Sequence, residues 1–462
     1  MADIDSILSR LHAFKLDHLD IPCLTQTAAD FDEIRSIYAH PEIVPLAIIR
    51  PTTLEDVQSV VRLLSSSGIE FTIRSGGHDM HGRSMKQDVI VLDMRLIKNV
   101  TINTPPPPDQ DVPTATVGGG ILIGDLIPHL QLHGYATPVG SVPSVGYVGW
   151  AMYGGYGGYS AHYGLGVDQI VGARIVNARG ELVEADAELL QGIRGAGGAF
   201  GVIVEMTVRI YKVDRILAGM IMYQSDDLAT VIPEYNNAYQ SLAAGGLPPA
   251  LSVQQGVLNA PTPTFTVLFF WSSRDLDEGY AWLERIKGLG PCVASTVHQT
   301  TPQEVLDEVD QHFAKTTKGR MWTISMRKIT PEVAGVIAQY TSKMPDDPHI
   351  LFDMHQLRAS SPSARANDDS VFSAREPHFA FEINTIVKDE AKLEMTLAWG
   401  EAFRDALRTT GAGNIMPVGY LSFMREEDID HSAAFGKNLS FLRYLKQKHD
   451  PNHVFKAAIS YL

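Results

Sequence analysis

The sequence predicts a two-domain protein of the α+β class. Its 462 residues exceed what a single hydrophobic core usually organises. The first part of the chain contains a β-α-β unit, and after Tyr211-Lys212-Val213 long apolar strands alternate with amphipathic helices. We therefore expect a first domain at residues 1–213 and a second domain of strands and helices after it.

The β-α-β unit begins with an apolar run from Val44 to Ile49, which predicts a strand. Thr52 and Glu55 have the spacing of a capping box that starts a helix. Residues 69–73 alternate as a second strand, and the run Arg74-Ser75-Gly76-Gly77-His78 follows it, at the end of the strand where ligands of α/β sheets gather. The buried face of the helix is expected to consist of Val57, Val60, Val61 and Leu64.

The remaining elements follow from periodicity and from breaker residues. A proline-rich surface loop is expected at 103–113, with the run Pro105–Pro108 inside it, and a flexible polar loop at 359–373. A loop or short helix is expected at 181–191, and a helix opens the segment 438–462. Further strands are predicted at 89–92, 114–117, 169–176, 201–210, 264–271 and 378–386, and further helices at 276–288 and 331–342.

Composition limits the partners. With 38 basic and 53 acidic residues the formal charge is −15, so we expect neither nucleic acid nor an anionic membrane surface to bind. The stretch 126–167 lacks charged residues but is broken by prolines and glycines, which is wrong for a membrane helix and indicates backbone packed close to a ligand. Two cysteines and an acidic start without a signal pattern predict a cytoplasmic protein.

Several common motifs are absent. We find no G-x-G-x-x-G and no G-x-S-x-G, and Gly436-Lys437 lacks the following Ser or Thr of a phosphate loop. His78-Asp79-Met80-His81 has two histidines but neither an H-E-x-x-H helix nor a cysteine pair. The sequence therefore predicts no metal site. Instead, Ser75-Gly76-Gly77 offers unhindered backbone N–H groups that suit a pyrophosphate, and Arg74 could add charge-assisted bonds.

Five ordered motifs resemble one family. They are Ile49-Arg50-Pro51 with Asp56-Val57, Ile73 to His78, Pro143-Ser144-Val145-Gly146 with Gly154-Gly155-Tyr156-Gly157 and Tyr163-Gly164-Leu165, Arg194 to Val202, and Asp450-Pro451-Asn452-His453-Val454-Phe455. Together they resemble the vanillyl-alcohol-oxidase/PCMH superfamily of flavoproteins, in its branch of berberine-bridge-enzyme-like and 6-hydroxynicotine-oxidase-like oxidases.

The resemblance implies a PCMH-type FAD-binding domain at 1–213, to which residues 437–462 return, and a substrate domain at 214–436 with an antiparallel sheet covered by helices. It implies a flavin bonded through its 8α-methyl to His78. Many relatives add a cysteine link where Val142 stands here, so a single link is expected. The expected cofactor residues are His78, Arg74, Ser75, Gly76, Gly77, Asp79, Gly82, Ser84, Gly140, Ser141, Val142, Ser144, Val145, Gly146, Gly155, Tyr156, Gly201, Val202 and Ile203.

For catalysis the resemblance suggests Tyr156, which would polarise or deprotonate a substrate or else pack on the flavin edge. Asp353 and His355 share one face of a strand, where they would form a base dyad or a solvated face. Tyr420 is a further candidate and Glu382 a weaker one. Val145 matches a gatekeeper position at which valine admits oxygen, which favours an oxidase of a small alcohol, amine or sugar-like substrate.

Departures from the family pattern keep alternatives open. Ser422 replaces the asparagine of a Tyr-x-Asn motif, the tail after Phe455 is altered, Trp150 replaces a histidine, and Tyr153 replaces a glycine. The alternatives are a flavoprotein dehydrogenase or cyclising enzyme of secondary metabolism, a flavin-binding protein without catalysis, and a protein without flavin. Substrate and oligomeric state are left open.

Overall fold

Eleven strands and seven α-helices precede residue 213 in the computed structural model, which describes residues 4–106, 110–312 and 317–458. The strands are β1 (Cys23–Thr25), β2 (Ala47–Ile49), β3 (Phe71–Arg74), β4 (Ile90–Asp93), β5 (Val100–Asn103), β6 (Thr114–Gly118), β7 (Tyr135–Ala136), β8 (Ile170–Val176), β9 (Leu182–Glu184), β10 (Val202–Arg209) and β11 (Tyr211–Lys212). The helices are α1 (Ile4–Asp17), α2 (Phe31–Arg35), α3 (Leu54–Ser66), α4 (Ile123–Gln131), α5 (Tyr147–Met152), α6 (Gly166–Gln169) and α7 (Ala187–Ala196). Residues 107–109 of the predicted proline-rich loop lie outside the described residues.

The predicted β-α-β unit is present. Strands β2, β4 and β3 are parallel in a sheet of order β1-β2-β4-β3, and β1 is antiparallel. The predicted face of α3 is confirmed, since all four of its residues are fully buried. The capping box, however, pairs Thr53 with Asp56 and not Thr52 with Glu55. Thr53 is the extended residue directly before the first helical turn, so its hydroxyl reaches the N–H of Asp56 at 3.1 Å.

A second, antiparallel sheet of order β5-β6-β10-β8-β9 lies beside this unit. Val202 and Val204 of β10 share a hydrophobic core with α3 and with Phe71 of β3. The C-terminal segment packs on the same domain, because Phe455 meets Phe71 edge-on with ring centroids 6.0 Å apart.

The second domain is built on one antiparallel sheet. Its strands are β12 (Ile216–Tyr223), β13 (Leu251–Asn259), β14 (Pro263–Trp271), β15 (Cys292–Ser295), β16 (His298–Thr300), β17 (Met321–Met326), β18 (Leu351–Leu357) and β19 (His378–Asn384). Their order in the sheet is β15-β12-β14-β13-β18-β19-β17, with β16 also paired to β12. The predicted loop at 359–373 has no helix or strand, but several of its polar side chains are buried against the first domain. The helices are α8 (Leu228–Ala244), α9 (Leu276–Lys287), α10 (Pro302–His312), α11 (Pro331–Thr341) and α12 (Leu393–Thr409), followed by α13 (His431–Phe435) and α14 (Leu439–His449).

The two faces of this sheet have different partners. Phe352 and Phe381 point into a core formed with helices of the second domain. Leu357 and Ala380, which project from the opposite face, belong to a core shared with the first domain. Side chains alternate along a strand, so residues 353, 355, 378 and 382 also project towards the first domain. Within the described part of the chain, no helix is long and apolar enough to cross a membrane.

Candidate active site

Two glycine-containing turns that the sequence indicates separately are in contact. The first runs from Ser75 to His78 after β3, and the second, Ser144 to Gly146, precedes α5. A Cβ on Gly76 would collide with the backbone of both Ser144 and Gly146, and one on Gly146 would collide with the Ser75 hydroxyl. Only glycine lets the two backbones approach so closely. This contact places His78 beside the second turn.

The imidazole of His78 lies between the second turn and Tyr38. Its Nε2 is 2.8 Å from Ser144 Oγ, and its ring stacks on Tyr38 with centroids 4.6 Å apart. Burial, and next the charge of Arg74, lower the pKa of His78 to about 3, so the ring is neutral at physiological pH. When Nε2 carries the proton and donates to Ser144, the ring lone pair lies on Nδ1. A neutral ring nitrogen with a lone pair is what a covalent bond to a cofactor requires.

Arg74 is buried and bonded to backbone carbonyl oxygens. Its guanidinium is 2% exposed and donates to the carbonyl oxygens of Ile34, at 2.6 Å, and of Ser36. These bonds tie the turn to the segment around the end of α2, whereas the sequence suggested bonds to a pyrophosphate. Burial is the main reason that the pKa of Arg74 falls to about 9. Arg74 therefore anchors the first turn, and its contact with a cofactor stays a prediction.

Positive charge nevertheless gathers where β2, β3 and β4 end. Arg50 Nε lies 3.2 Å and Arg95 Nη2 2.6 Å from Asp93 Oδ2. Burial raises the pKa of Asp93, but the bonds and charges of Arg95 and Arg74 outweigh it and keep that pKa below its usual value. Three guanidinium groups thus surround one carboxylate. The excess charge at this sheet edge suits an anionic ligand.

The loop after the first turn is held by its own residues. Asp79 Oδ2 accepts hydrogen bonds from the backbone N–H of His81, at 3.1 Å, and of Arg83, at 2.6 Å. Gly82 has φ = +83°, a conformation that glycine adopts without strain. Asp79 and Gly82 therefore shape the loop that leads to Ser84.

The residues present fit a flavin nucleotide. The hydroxyl oxygens of Ser75 and Ser84 are buried and have no hydrogen-bond partner among the residues that the structure describes. Leaving a buried hydroxyl unpaired costs about 1–3 kcal/mol, so we expect each to bond to a group seated on the turns. Backbone that only glycine permits and the adjoining excess of positive charge suit the pyrophosphate of FAD.

The second turn continues into a loop supported by Trp150. The indole Nε1 donates to the carbonyl oxygen of Tyr156 at 3.2 Å, and its ring lies against both Gly140 and Gly155, where a Cβ would be 3.0 and 3.1 Å away. Gly155 has φ = +76°. The tryptophan that replaces the family's histidine therefore positions the backbone of Tyr156.

The valines on either side of Pro143-Ser144 belong to one turn, because the N–H of Val145 donates to the carbonyl of Val142 at 3.2 Å. Both side chains are partly exposed and Ser141 is exposed. Val142 offers no thiol for a second covalent link. Val145 lies directly beside the contact with Gly76.

At the start of β10, the expected cofactor residues are part of a sheet. Val202 pairs with Val176 and Ile203 with Ile175, and Val202 is fully buried. A Cβ on Gly201 would be 2.7 Å from the carbonyl oxygen of Val176. Packing explains these residues, and their contact with a cofactor stays a prediction.

Tyr156 and Tyr420 meet where the two domains join. Their rings are edge-on with centroids 5.0 Å apart, and the Tyr156 hydroxyl is 2.7 Å from Nε2 of His378. Burial raises the pKa of both tyrosines well above the ordinary value. For Tyr420, bonding to Ser422 and to nearby backbone partly offsets this rise. Both hydroxyls are therefore neutral at physiological pH.

Strands β18 and β19 bring three ionisable groups to the same junction between the two domains, the seam. His355 Nε2 is 3.2 Å from Glu382 Oε1, and Asp353 lies opposite Glu382 in the strand register. The His355 ring centroid is 5.8 Å from that of Tyr156. The ligand atoms of Asp353, His355 and Glu382 lie within 4.8 Å of one another, so this cluster is also a candidate metal site, which the sequence did not predict. The expected pair is thus a triad.

Burial controls the charge state of this triad. Burial raises the pKa of Asp353 to about 8, the charge of Glu382 adds to the rise, and His355 and Gln254 oppose it. Burial lowers the pKa of His355, but Glu382 and Asp353 outweigh it, so the net shift is upwards. At neutral pH, Asp353 is mostly protonated and can donate a hydrogen bond, and the raised pKa of His355 favours the charged form that pairs with Glu382.

We expect Asp353→Asn to remove a pH dependence of stability. A carboxyl whose pKa is higher in the folded than in the unfolded protein stabilises the fold fully below its ordinary pKa of about 4, and that stabilisation is lost as pH rises through about 8. Unfolding midpoints of both proteins between these pH values test this. As pH rises, the unfolding midpoint of the wild type should fall relative to that of the variant. Parallel curves of midpoint against pH would contradict a protonated Asp353.

Two groups at the seam were not predicted from the sequence. His378 was assigned only to a strand, and Gln254 Nε2, on β13, is 3.5 Å from His355 Nε2. The sequence did contain a signal for His378, because His378, Glu382 and Asn384 lie on the same face of an otherwise apolar strand. Nothing in the sequence singled out Gln254, whose place depends on pairing between β13 and β18.

Comparisons with known proteins agree with this site. A family model described as an FAD binding domain matches residues 45–186. The FAD-linked oxidoreductase aurO of Gibberella zeae is 34% identical over 443 residues, which cover 95% of this chain and 85% of that protein. The crystal structure of 6-hydroxy-D-nicotine oxidase from Arthrobacter nicotinovorans has a TM-score of 0.80 at 24% identity, and covers 95% of this chain and 97% of that one.

Glucooligosaccharide oxidase from Acremonium strictum, which carries a 6-S-cysteinyl, 8α-N1-histidyl FAD, has a TM-score of 0.80 at 18% identity, with 98% of each chain covered. The predicted two-domain PCMH-type fold is therefore confirmed. Sequence match, fold and site agree. The chain belongs to the vanillyl-alcohol-oxidase/PCMH superfamily of FAD-linked oxidoreductases, in the branch of the berberine-bridge-enzyme-like and 6-hydroxynicotine-oxidase-like proteins.

Proposed function

We propose that the protein is an oxidase that holds FAD covalently through His78 alone. It takes a hydride from a small alcohol, amine or sugar-like substrate and passes the electrons to molecular oxygen, which yields hydrogen peroxide. The observation that carries this proposal is the arrangement of His78 at two touching turns, with Val142 where a second tether would need a thiol. Two unpaired cysteines, Cys23 and Cys292, fit a cytoplasmic location.

The turns would hold the cofactor. Ser75, Ser84 and the backbone of the first turn would bond its pyrophosphate, and neutral His78 would bond its ring. FAD supplies the hydride acceptor when it is bound. Arg74 and Asp79 would act indirectly, since their hydrogen bonds to backbone groups hold the first turn and the loop after it in shape.

The seam between the domains would hold the substrate. Pockets that bind small molecules favour domain interfaces, and here Tyr156 lies beside both Tyr420 and the triad that contains Asp353. Neutral Asp353 can donate a hydrogen bond to a substrate oxygen or nitrogen, and the Tyr156 oxygen can accept a proton. The burial of these groups excludes water and strengthens their interactions.

Oxygen as the acceptor is supported by Val145 and by relatives that are named oxidases. The test is anaerobic photoreduction of the purified protein, mixing with air-saturated buffer, and measurement of cofactor absorbance and peroxide. We expect rapid reoxidation with one peroxide per cofactor. Slow reoxidation without peroxide would favour the dehydrogenase or cyclase, and a reducible cofactor that no substrate reduces would indicate binding without catalysis.

We expect Val145→Leu to slow reoxidation severalfold while photoreduction is unchanged. Leucine adds a methylene at a residue directly beside the glycine contact, which narrows the space through which oxygen would approach. Val142→Leu is the matched control, because it adds the same volume three residues earlier. Equal reoxidation rates for both variants and the wild type would show that Val145 does not control the access of oxygen.

A further inference from the structure

His378 is held at both ring nitrogens. It is the first residue of β19 and is 1% exposed. Its Nδ1 is 2.6 Å from the carbonyl oxygen of Glu376 and its Nε2 is 2.7 Å from the Tyr156 hydroxyl. A carbonyl oxygen only accepts hydrogen bonds, so Nδ1 carries the hydrogen. The ring is therefore either neutral with a lone pair on Nε2 or a cation.

The surroundings favour the neutral ring. Burial is the largest influence on the pKa of His378 and lowers it, Arg327 acts in the same direction, and Glu376 opposes both. Arg327 Nε is itself paired with Glu376 Oε2 at 2.9 Å. With the Nε2 lone pair available, the Tyr156 hydroxyl donates to His378. The lone pairs of the Tyr156 oxygen then remain for another donor.

The substrate is the donor that this arrangement suits. An ionised Tyr156 would be costly, because burial raises the pKa of its hydroxyl. A hydroxyl that passes its own proton on while it accepts another never becomes charged. General acid–base transfer through such a pair requires hydrogen-bond distances, and 2.7 Å meets that condition.

Resting on the proposed function, the geometry points to His378 as a positioning residue that accepts the Tyr156 proton while Tyr156 accepts the proton of the substrate's O–H or N–H. The C–H bond of the substrate breaks with its electron pair, which leaves as hydride for the oxidised cofactor. The substrate O–H or N–H proton bonds to the Tyr156 oxygen, and the former Tyr156 proton bonds to His378 Nε2. The substrate becomes a carbonyl or an imine, and the proton left on His378 balances the one that the reduction of O2 to hydrogen peroxide consumes.

The first test needs no substrate. Histidine labelled with ¹⁵N in the intact protein reports which ring nitrogen bears hydrogen, and the resonances of His378 are assigned by their loss in His378→Gln. We expect hydrogen on Nδ1 and a hydrogen-bonded lone pair on Nε2 at neutral pH, with a shift of Nε2 in Tyr156→Phe. Tyr159→Phe is the matched control, since that hydroxyl is buried without a partner among the described residues and should leave Nε2 unmoved. A hydrogen on Nε2 would overturn the inference, whatever the protein oxidises.

The second test asks whether His378 accepts the Tyr156 proton or only holds the tyrosine in place. Glutamine can accept the Tyr156 hydrogen bond but cannot take the proton, so His378→Gln should retain yellow protein with a nearly unchanged KM. Its limiting rate of cofactor reduction should fall about 10²-fold, measured with whichever aldose, benzylic alcohol or secondary amine reduces the wild type fastest. Adding His378→Gln to Tyr156→Phe should cost little more, since both act on one proton path.

A wild-type rate in His378→Gln, or losses that multiply in the double variant, would overturn the inference and leave the proposed function standing. If no donor in that panel reduces the wild type, the proposed function loses support. The labelled histidine then still decides how His378 and Tyr156 share their proton.

Discussion

Replacing Tyr156 by phenylalanine is expected to slow substrate-dependent reduction of the cofactor by about 10²- to 10⁴-fold, the usual contribution of a positioned acid–base group. The hydroxyl is buried at the seam, bonds His378 at 2.7 Å, and sits beside Tyr420. Its loss removes the acceptor of the substrate proton and leaves a buried His378 nitrogen unpaired. Stopped-flow reduction under anaerobic conditions measures the effect.

The control for this variant is again Tyr159→Phe, which removes an equally buried hydroxyl three residues along the chain. Its reduction rate should stay near that of the wild type. Photoreduction of Tyr156→Phe should also be normal, because light does not need the substrate's proton to be accepted. A Tyr156→Phe rate close to that of the wild type would make the tyrosine a packing residue on the cofactor edge.

Asp450→Ala is expected to destabilise the protein by about 3–5 kcal/mol, the usual result of breaking a buried ion pair on one side. Asp450 and Lys446 are 0% and 2% exposed and lie 2.8 Å apart. Asp450 also accepts the backbone N–H of Val454 and of Phe455, and Lys446 donates to the carbonyl of Ala199. The change leaves a buried ammonium group without its counter-ion and releases the C-terminal segment from the first domain.

Urea unfolding of Asp450→Ala measures the loss. The control is Asp368→Ala, which breaks an ion pair with Lys437 whose side chains are 87% and 80% exposed, and solvent screens such a pair so that it contributes little to stability. Similar losses in the two variants would show that the buried pair has no special part in the fold.

Local patterns predicted the helices α3, α9 and α11 and the two glycine-containing turns well. The four buried residues of α3 follow from a period of 3.6, and their burial does not depend on distant strands. Gly76 and Gly146 were also identifiable, because a residue without a side chain is needed where two backbones touch. The family resemblance rested on the order of five motifs along the chain, which no single turn could have indicated.

The chemistry at the seam was harder to predict because it depends on pairing across the fold. Asp353 and His355 were identifiable from one strand, but Glu382 completes the triad only through the register of β18 with β19. His378 contacts Tyr156 from 222 positions away in the chain. The carbonyl oxygens that bind Arg74 were not predicted either, since they belong to the segment near α2.

The proposed function depends most on a covalent bond from FAD to His78 and to no other residue. Peptide mapping by mass spectrometry of the denatured yellow protein tests it most directly, with His78→Ala as the control. We predict the mass of FAD on the peptide that contains His78, an unmodified peptide around Val142, and cofactor that acid releases only from the variant. Colourless denatured wild-type protein, or FAD still attached in His78→Ala, would contradict the account.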